Sequence, residues 1–214
     1  MDLTKTLANS DHNQEPNIHH DPTLSYSMSS KRRRRLQRSL NSSLQNYHTN
    51  MKYVLTTTRF NNTTWAENVK YREKYPQLGC IYPTPEENSS KMAENAPLFV
   101  LEMNNDANKI MGIGMVRNHV ITKKYRVYSN ENYNRHAYIG RRRIDRAQMS
   151  EEEERIMKVF DILCFTGSRH MKRLRGLKIF PVDMLYNCSK IMDLVKFIVQ
   201  MFKQREEIHN ENTQ

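Results

Sequence analysis

From residue 51 to about residue 148 the apolar positions fall in short runs or at every second residue, and from residue 150 onward they recur every third or fourth. The first spacing belongs to strands and the second to helices. The run Met51-Lys52-Tyr53-Val54-Leu55-Thr56-Thr57-Thr58-Arg59 is β-branched and aromatic and predicts a first strand. Asn61 and Thr64 supply caps ahead of Trp65, Val69 and Arg72, whose spacing suits a short helix. Residues 78–82 predict a short strand ended by Pro83 and Pro85, and a polar loop covers 86–95. Residues 97–103 and 110–116 predict a hairpin turning over 104–109. Gly112 and Gly114 in its second arm point to a bulge or a close backbone approach. Residues 124–128 and 136–144 predict two further strands, the first alternating charged with apolar positions.

The period then changes. Ser150 with Glu153 reads as a capping box, and the acids of 151–154 suit the positive end of a helix. Ile156, Val159, Phe160 and Leu163 share one face, and Gly167 stands where a helix would end. A short basic element at 168–178 precedes a last helix over about 183–207, striped by Leu185, Cys188, Ile191, Met192, Val195, Ile198, Met201 and Phe202. These elements predict an α+β fold: a small antiparallel, partly open β-barrel over 51–149 with an early inserted helix. A C-terminal helical extension over 150–214 is expected to pack on the same domain.

Residues 1–50 are poor in β-branched and aromatic residues and rich in Asn, Ser, His and Gln, which predicts a disordered arm. Its basic run comprises Lys31, Arg32, Arg33, Arg34, Arg35 and Arg38. That run suits a nuclear-localisation signal, or an arm that condenses on nucleic acid or an acidic protein. The formal net charge is +11, and residues 1–50 carry seven Lys/Arg against four Asp/Glu, so most of the excess lies in residues 51–214. No run of about 18 uncharged apolar residues spans a membrane. Cys80, Cys164 and Cys188 are widely spaced, which predicts reduced thiols rather than a disulfide or zinc framework. With no apolar leader at the N-terminus, the expectation is an intracellular protein.

Catalytic signatures are missing. The chain has no glycine-rich phosphate loop, nucleophile elbow or paired-histidine zinc motif. A hydrolytic set of His136, Asp145 and Glu102 can be drawn, but the spacing does not require it. The expectation is therefore a non-enzymatic protein with no cofactor, no metal and no catalytic residue.

Nucleic acid is the expected partner. Residues 117–146 hold nine basic residues against Glu131 and Asp145, interleaved with Tyr125, Tyr128, Tyr133 and Tyr138. Cations track phosphates while aromatic rings stack on bases. The expected phosphate contacts are Lys123, Lys124, Arg126, Arg141, Arg142 and Arg143. A second, acid-free block adds Arg169, Lys172, Arg173 and Arg175 with Lys178; if helical, it places Arg169, Lys172 and Arg173 on one face. Trp65, Tyr125 and Tyr138 are the candidate stacking residues.

The first strand, the helix holding Trp65, and the pair 97–103 and 110–118 together resemble the opening of EVE-type domains of the PUA-like superfamily. Those domains share a Met-Lys-Tyr-type first strand and a later strand of the Gly-apolar-Gly form found here at Gly112 to Gly114. The resemblance covers about residues 51–118; the helices beyond Ser150 depart from it. It implies a barrel whose aromatic pocket reads a modified or flipped base in RNA or DNA, with Trp65, Thr57, Thr58 and Gly112 to Gly114 at matching positions. The alternatives are a virion or chromatin-associated scaffold whose arm contacts an acidic partner, and a metal-dependent nuclease.

Overall fold

A computed structural model of the chain describes residues 30–87, 92–121, 123–173 and 175–211. It divides into two compact units, residues 1–51 and 52–214. In the first unit, the expected disorder does not hold for its second half: Ser30–Thr49 form one helix, α1. Leu36, Leu40, Leu44 and Tyr47 recur at helical spacing, and the intervening residues include no Gly or Pro to break it. The expected disorder of residues 1–29 lies outside the described residues.

The second unit begins with β1 (Val54–Phe60), α2 (Asn62–Lys74), β2 (Cys80–Thr84), β3 (Pro97–Asn104) and β4 (Lys109–Arg117). After a long irregular connection come β5 (His136–Gly140), β6 (Arg142–Asp145) and α3 (Glu151–Phe165). The chain ends with β7 (Lys178–Ile179), α4 (Val182–Ser189) and α5 (Leu194–Glu211). Five strands form a sheet in the order β6-β4-β3-β1-β7, and β2 and β5 pair separately. The fold is α+β with an open sheet, not a closed barrel.

The expected wholly antiparallel arrangement is corrected at one pair. β1 runs parallel to β3, from Val54 opposite Leu98 to Phe60 opposite Asn104. The cause is the α2 and β2 connection, which carries the chain back to the start of the sheet before β3 begins.

β3 is buried on both faces from Leu98 to Asn104. Leu98 and Val100 join Phe60, Ile81, Tyr82, Tyr138 and Val116 in a core roofed by α2 and the β2–β5 pair. Phe99 points the other way, its ring 5.0 Å from Tyr53 and 5.1 Å from Phe202 of α5. The β2–β5 pair approaches β4 closely. A Cβ on Gly140 would collide with the carbonyl of Met115, and one on Gly114 with the ring and hydroxyl of Tyr82. The Cys80 thiol donates to the Arg142 carbonyl at 3.4 Å, tying β2 to β6.

Two helical predictions resolve differently. The Ser150–Glu153 capping box forms as expected, with Gly167 at φ 72° after the helix. The single last helix divides into α4 and α5, because the Asp193 carboxylate accepts the N–H groups of Val195 and Lys196 at 3.1 and 3.0 Å. An aspartate bonded this way starts a new helix rather than continuing an old one. Among the described residues no helix is long and apolar enough to cross a membrane.

Candidate nucleic-acid interface

The end of β1, the start of α2 and the loop after β3 meet to form a cleft of about 270 Å³. Its walls include Arg59, Thr64, Asn105, Tyr128, Tyr133 and Arg175. Several are held from behind. Asn61 caps α2 by accepting the Thr64 N–H at 2.8 Å, and Asp106 accepts the Asn62 N–H at 2.8 Å. Arg59 and the Asn105 amide both donate to the Lys172 carbonyl, at 3.0 and 2.9 Å. The amide oxygen of Asn105 is buried and has no hydrogen-bond partner among the described residues.

The aromatic wall comes from the connection between β4 and β5. Residues 124–128, expected as a strand, are irregular. Asn134 takes over the ladder's role: its side-chain oxygen accepts the N–H groups of Val127 and Tyr128, both at 3.1 Å, and its amide donates to the Tyr128 carbonyl at 2.7 Å. A segment satisfied by one side chain needs no neighbouring strand. Tyr128 is thereby fixed with Tyr133 at 6.3 Å, edge to face. Burial pushes the Tyr128 hydroxyl well above its ordinary value, so it stays neutral.

The cations expected to bind phosphate divide into three groups. Lys123, Lys124, Arg126, Arg141, Arg142, Arg173 and Arg175 are exposed, and Arg175 lines the cleft. Arg142 is paired with Glu206 of α5. Arg169 is exposed but bound in a fork to Asp183, at 2.6 and 3.1 Å, and it holds that carboxyl below its usual range. Lys172 is half-buried, and Lys178 lies 3.9 Å from Glu86. Residues 168–173 form turns rather than a helix, so the expected single face of Arg169, Lys172 and Arg173 does not exist. Gly167 and Gly176, at φ 72° and 66°, bracket this segment.

Arg143 is the clear correction. Its side chain is 7% exposed and grips Glu102 through Nε at 3.0 Å and Nη2 at 2.7 Å, while Nη1 holds Asp145 at 2.7 Å. Buried and committed through three of its five N–H groups to two carboxylates, it is not presented to a phosphate. Trp65, expected to stack on a base, has two guanidinium groups over its ring instead, Arg72 at 5.6 Å and Arg143 at 5.7 Å. Phe60 packs against the same ring at 5.2 Å. Tyr138 is buried in the core and also unavailable for stacking, because β5 turns it inward against the sheet. Tyr125 is half-buried, with Lys123 5.8 Å above its ring. Thr57 and Thr58 are buried.

The hydrolytic set also comes apart. Glu102 and Asp145 share Arg143, whereas His136 pairs with Glu87 at 3.4 Å. Among the described residues no group of three or more His, Cys, Asp or Glu is placed to hold a metal ion. Of the cleft residues, Tyr128 and Tyr133 are among the interleaved aromatics but not the expected stacking residues, and Arg59 is not among the expected phosphate contacts. Asn134, six residues beyond Tyr128, was the available signal, since an Asn that follows an apolar run can close it as a turn. No protein-family model matches the chain, and a search of curated proteins returns no match.

Proposed function

We propose that the chain is a non-enzymatic nucleic-acid-binding protein of PUA-like architecture, which holds a base in the cleft between β1 and the connection leading to β5. The observation that carries this reading is the company in the cleft: two tyrosines and two arginines around a concavity of about 270 Å³. Aromatic faces stack on any base at about 1–3 kcal/mol each, and flanking guanidiniums take the phosphates. The unpartnered Asn105 oxygen suits an N–H donor on the base edge, because a buried acceptor left unbonded is costly. In this reading the ligand is a flipped or modified base.

The test is fluorescence anisotropy of the full chain with labelled single-stranded DNA and RNA oligonucleotides. Tyr133→Ala and Arg175→Gln should each weaken binding roughly tenfold, with Arg141→Ala/Arg142→Ala reducing mainly its salt dependence. Unchanged affinity in both cleft variants would overturn the cleft as the site.

A further inference from the structure

Helix α1 carries six cations that the cleft does not use, four of them on one face. Lys31, Arg34, Arg35 and Arg38 stand at i, i+3, i+4 and i+7 and so form one stripe; all four are exposed. Leu36, Leu40, Leu44 and Tyr47 form a second stripe, roughly 180° around the helix at 3.6 residues per turn; Arg33 falls within it and Arg32 between the two. Leu36 and Leu40 are 52% and 46% exposed. The helix contains no acid, and its first turn offers none to the positive end of the dipole. Cations at these spacings repel one another, so the stripe is a surface whose missing element is an array of anions.

We infer that α1 is a duplex-binding helix, its Lys31–Arg34–Arg35–Arg38 stripe lying along the phosphates of double-stranded nucleic acid. The inference rests on the nucleic-acid reading above for the class of partner, and not on the cleft. From Lys31 to Arg38 the helix rises about 10.5 Å, and a duplex presents one phosphate per roughly 1.7 Å of its axis. Over that rise a duplex carries about six phosphates, counting both strands and all sides, whereas one strand at about 3.4 Å per charge carries half as many. Opposed apolar and basic faces also suit a helix lying in a membrane interface, but here Arg33 falls within the leucine stripe, where entry into a bilayer would carry its charge into the apolar layer.

The experiment uses the full chain, 20-base-pair duplexes, their separate strands, and phosphatidylserine/phosphatidylcholine vesicles, titrated across 50–300 mM salt. Wild-type protein should prefer duplex over single strand and over vesicles. The variant Lys31→Ala/Arg34→Ala/Arg35→Ala/Arg38→Ala should bind duplex at least tenfold more weakly. Its log–log salt slope should be shallower by about 3 to 4, at roughly 0.9 per phosphate. Alanine preserves the helix, which circular dichroism checks. Leu36→Ala/Leu40→Ala/Leu44→Ala should leave that slope unchanged. Ser39→Pro keeps every charge but breaks the helix, and should abolish the duplex preference. Wild-type duplex binding by Ser39→Pro overturns the inference, as does an unchanged slope in the stripe variant. Vesicle binding that exceeds duplex binding and is lost with the leucines also overturns it. Tyr133→Ala separates the two sites: it should weaken single-strand binding and leave the duplex salt slope intact, so either reading can fail alone.

Discussion

Arg143 of β6 reaches across β4 to grip Glu102 of β3, and it passes over Gly112. A Cβ at Gly112 would fall against the Arg143 guanidinium, the Glu102 carboxylate and the Ile144 carbonyl at once. Tyr82 completes the site by donating to Glu102 at 2.8 Å through the space left by Gly114. The two glycines of β4 thus serve one buried ion pair. Glu102 is fully buried, and removing one partner of such a pair leaves an uncompensated charge, at about 3–5 kcal/mol. Arg143→Met should therefore lower Tm by about 10 °C or more. Gly112→Ala should cost about 1–3 kcal/mol by overpacking. The double variant Glu102→Leu/Arg143→Met should recover most of the loss, because no charge is then stranded. Thermal denaturation of the three variants checks this; a double variant as unstable as Arg143→Met would refute it.

Trp65 is the chain's sole tryptophan, and two guanidinium groups, of Arg72 and Arg143, lie over its ring. Cation–π contacts of this kind contribute about 0.5–2 kcal/mol. Emission from Trp65 should accordingly change little when oligonucleotide is added, while Arg72→Ala should shift it in the free protein. Strong quenching on binding, of the kind base stacking produces, would restore Trp65 as a stacking residue.

The same contacts explain which parts of the fold were legible in the sequence. Local signals survived: the Ser150–Glu153 box, the Asn61 cap, and the hairpin of β3 and β4 each depend on neighbours a few residues away. Helix α1 was missed because three leucines and a tyrosine in twenty residues look sparse until their spacing of four, four and three is counted. The parallel pairing of β1 with β3 depends on where a 36-residue connection returns, which no local pattern encodes. Arg143 was misassigned because Arg141, Arg142 and Arg143 are alike in sequence. Arg141 precedes β6 and alternation within the strand sets Arg142 on the opposite face, so only Arg143 meets Glu102, forty-one residues away. Charge composition locates cations but not the acids that fold onto them.

All three cysteines are free and buried. Burial pushes the Cys80 thiol up to about 12, with Glu102 adding to the rise, and burial also raises Cys164. The thiolate is the reactive form, so native protein should label slowly with a disulfide reagent at pH 8. Cys188, 6% exposed and raised less, should react first, and all three should react at once in denaturant. Rapid labelling of Cys80 in the native state would contradict its placement beneath β4.

Four carboxylates, Asp183 with its Arg169 fork among them, are held below their ordinary values and should set the acid limit of stability. The Arg205 hydrogen bonds hold Glu153 below its ordinary value of 4.5 against the opposing effect of burial, and Arg146 does the same for Glu154. Burial pushes Asp145 upward, but hydrogen bonds from Arg143 and the Ala147 N–H bring it below 3.8. A carboxylate whose folded pKa lies below its unfolded one binds fewer protons in the native state than in the unfolded state. Its contribution is complete above the unfolded value and disappears as pH falls through the folded one. Tm should thus hold level from pH 7 to about pH 5 with respect to these groups and fall below about 4.5. Arg205→Leu removes the cause at Glu153: the variant should start lower at neutral pH, lose less on acidification, and converge with the wild type near pH 2. Parallel Tm curves for the two proteins across that range would show that the Arg205–Glu153 pair is not coupled to folding.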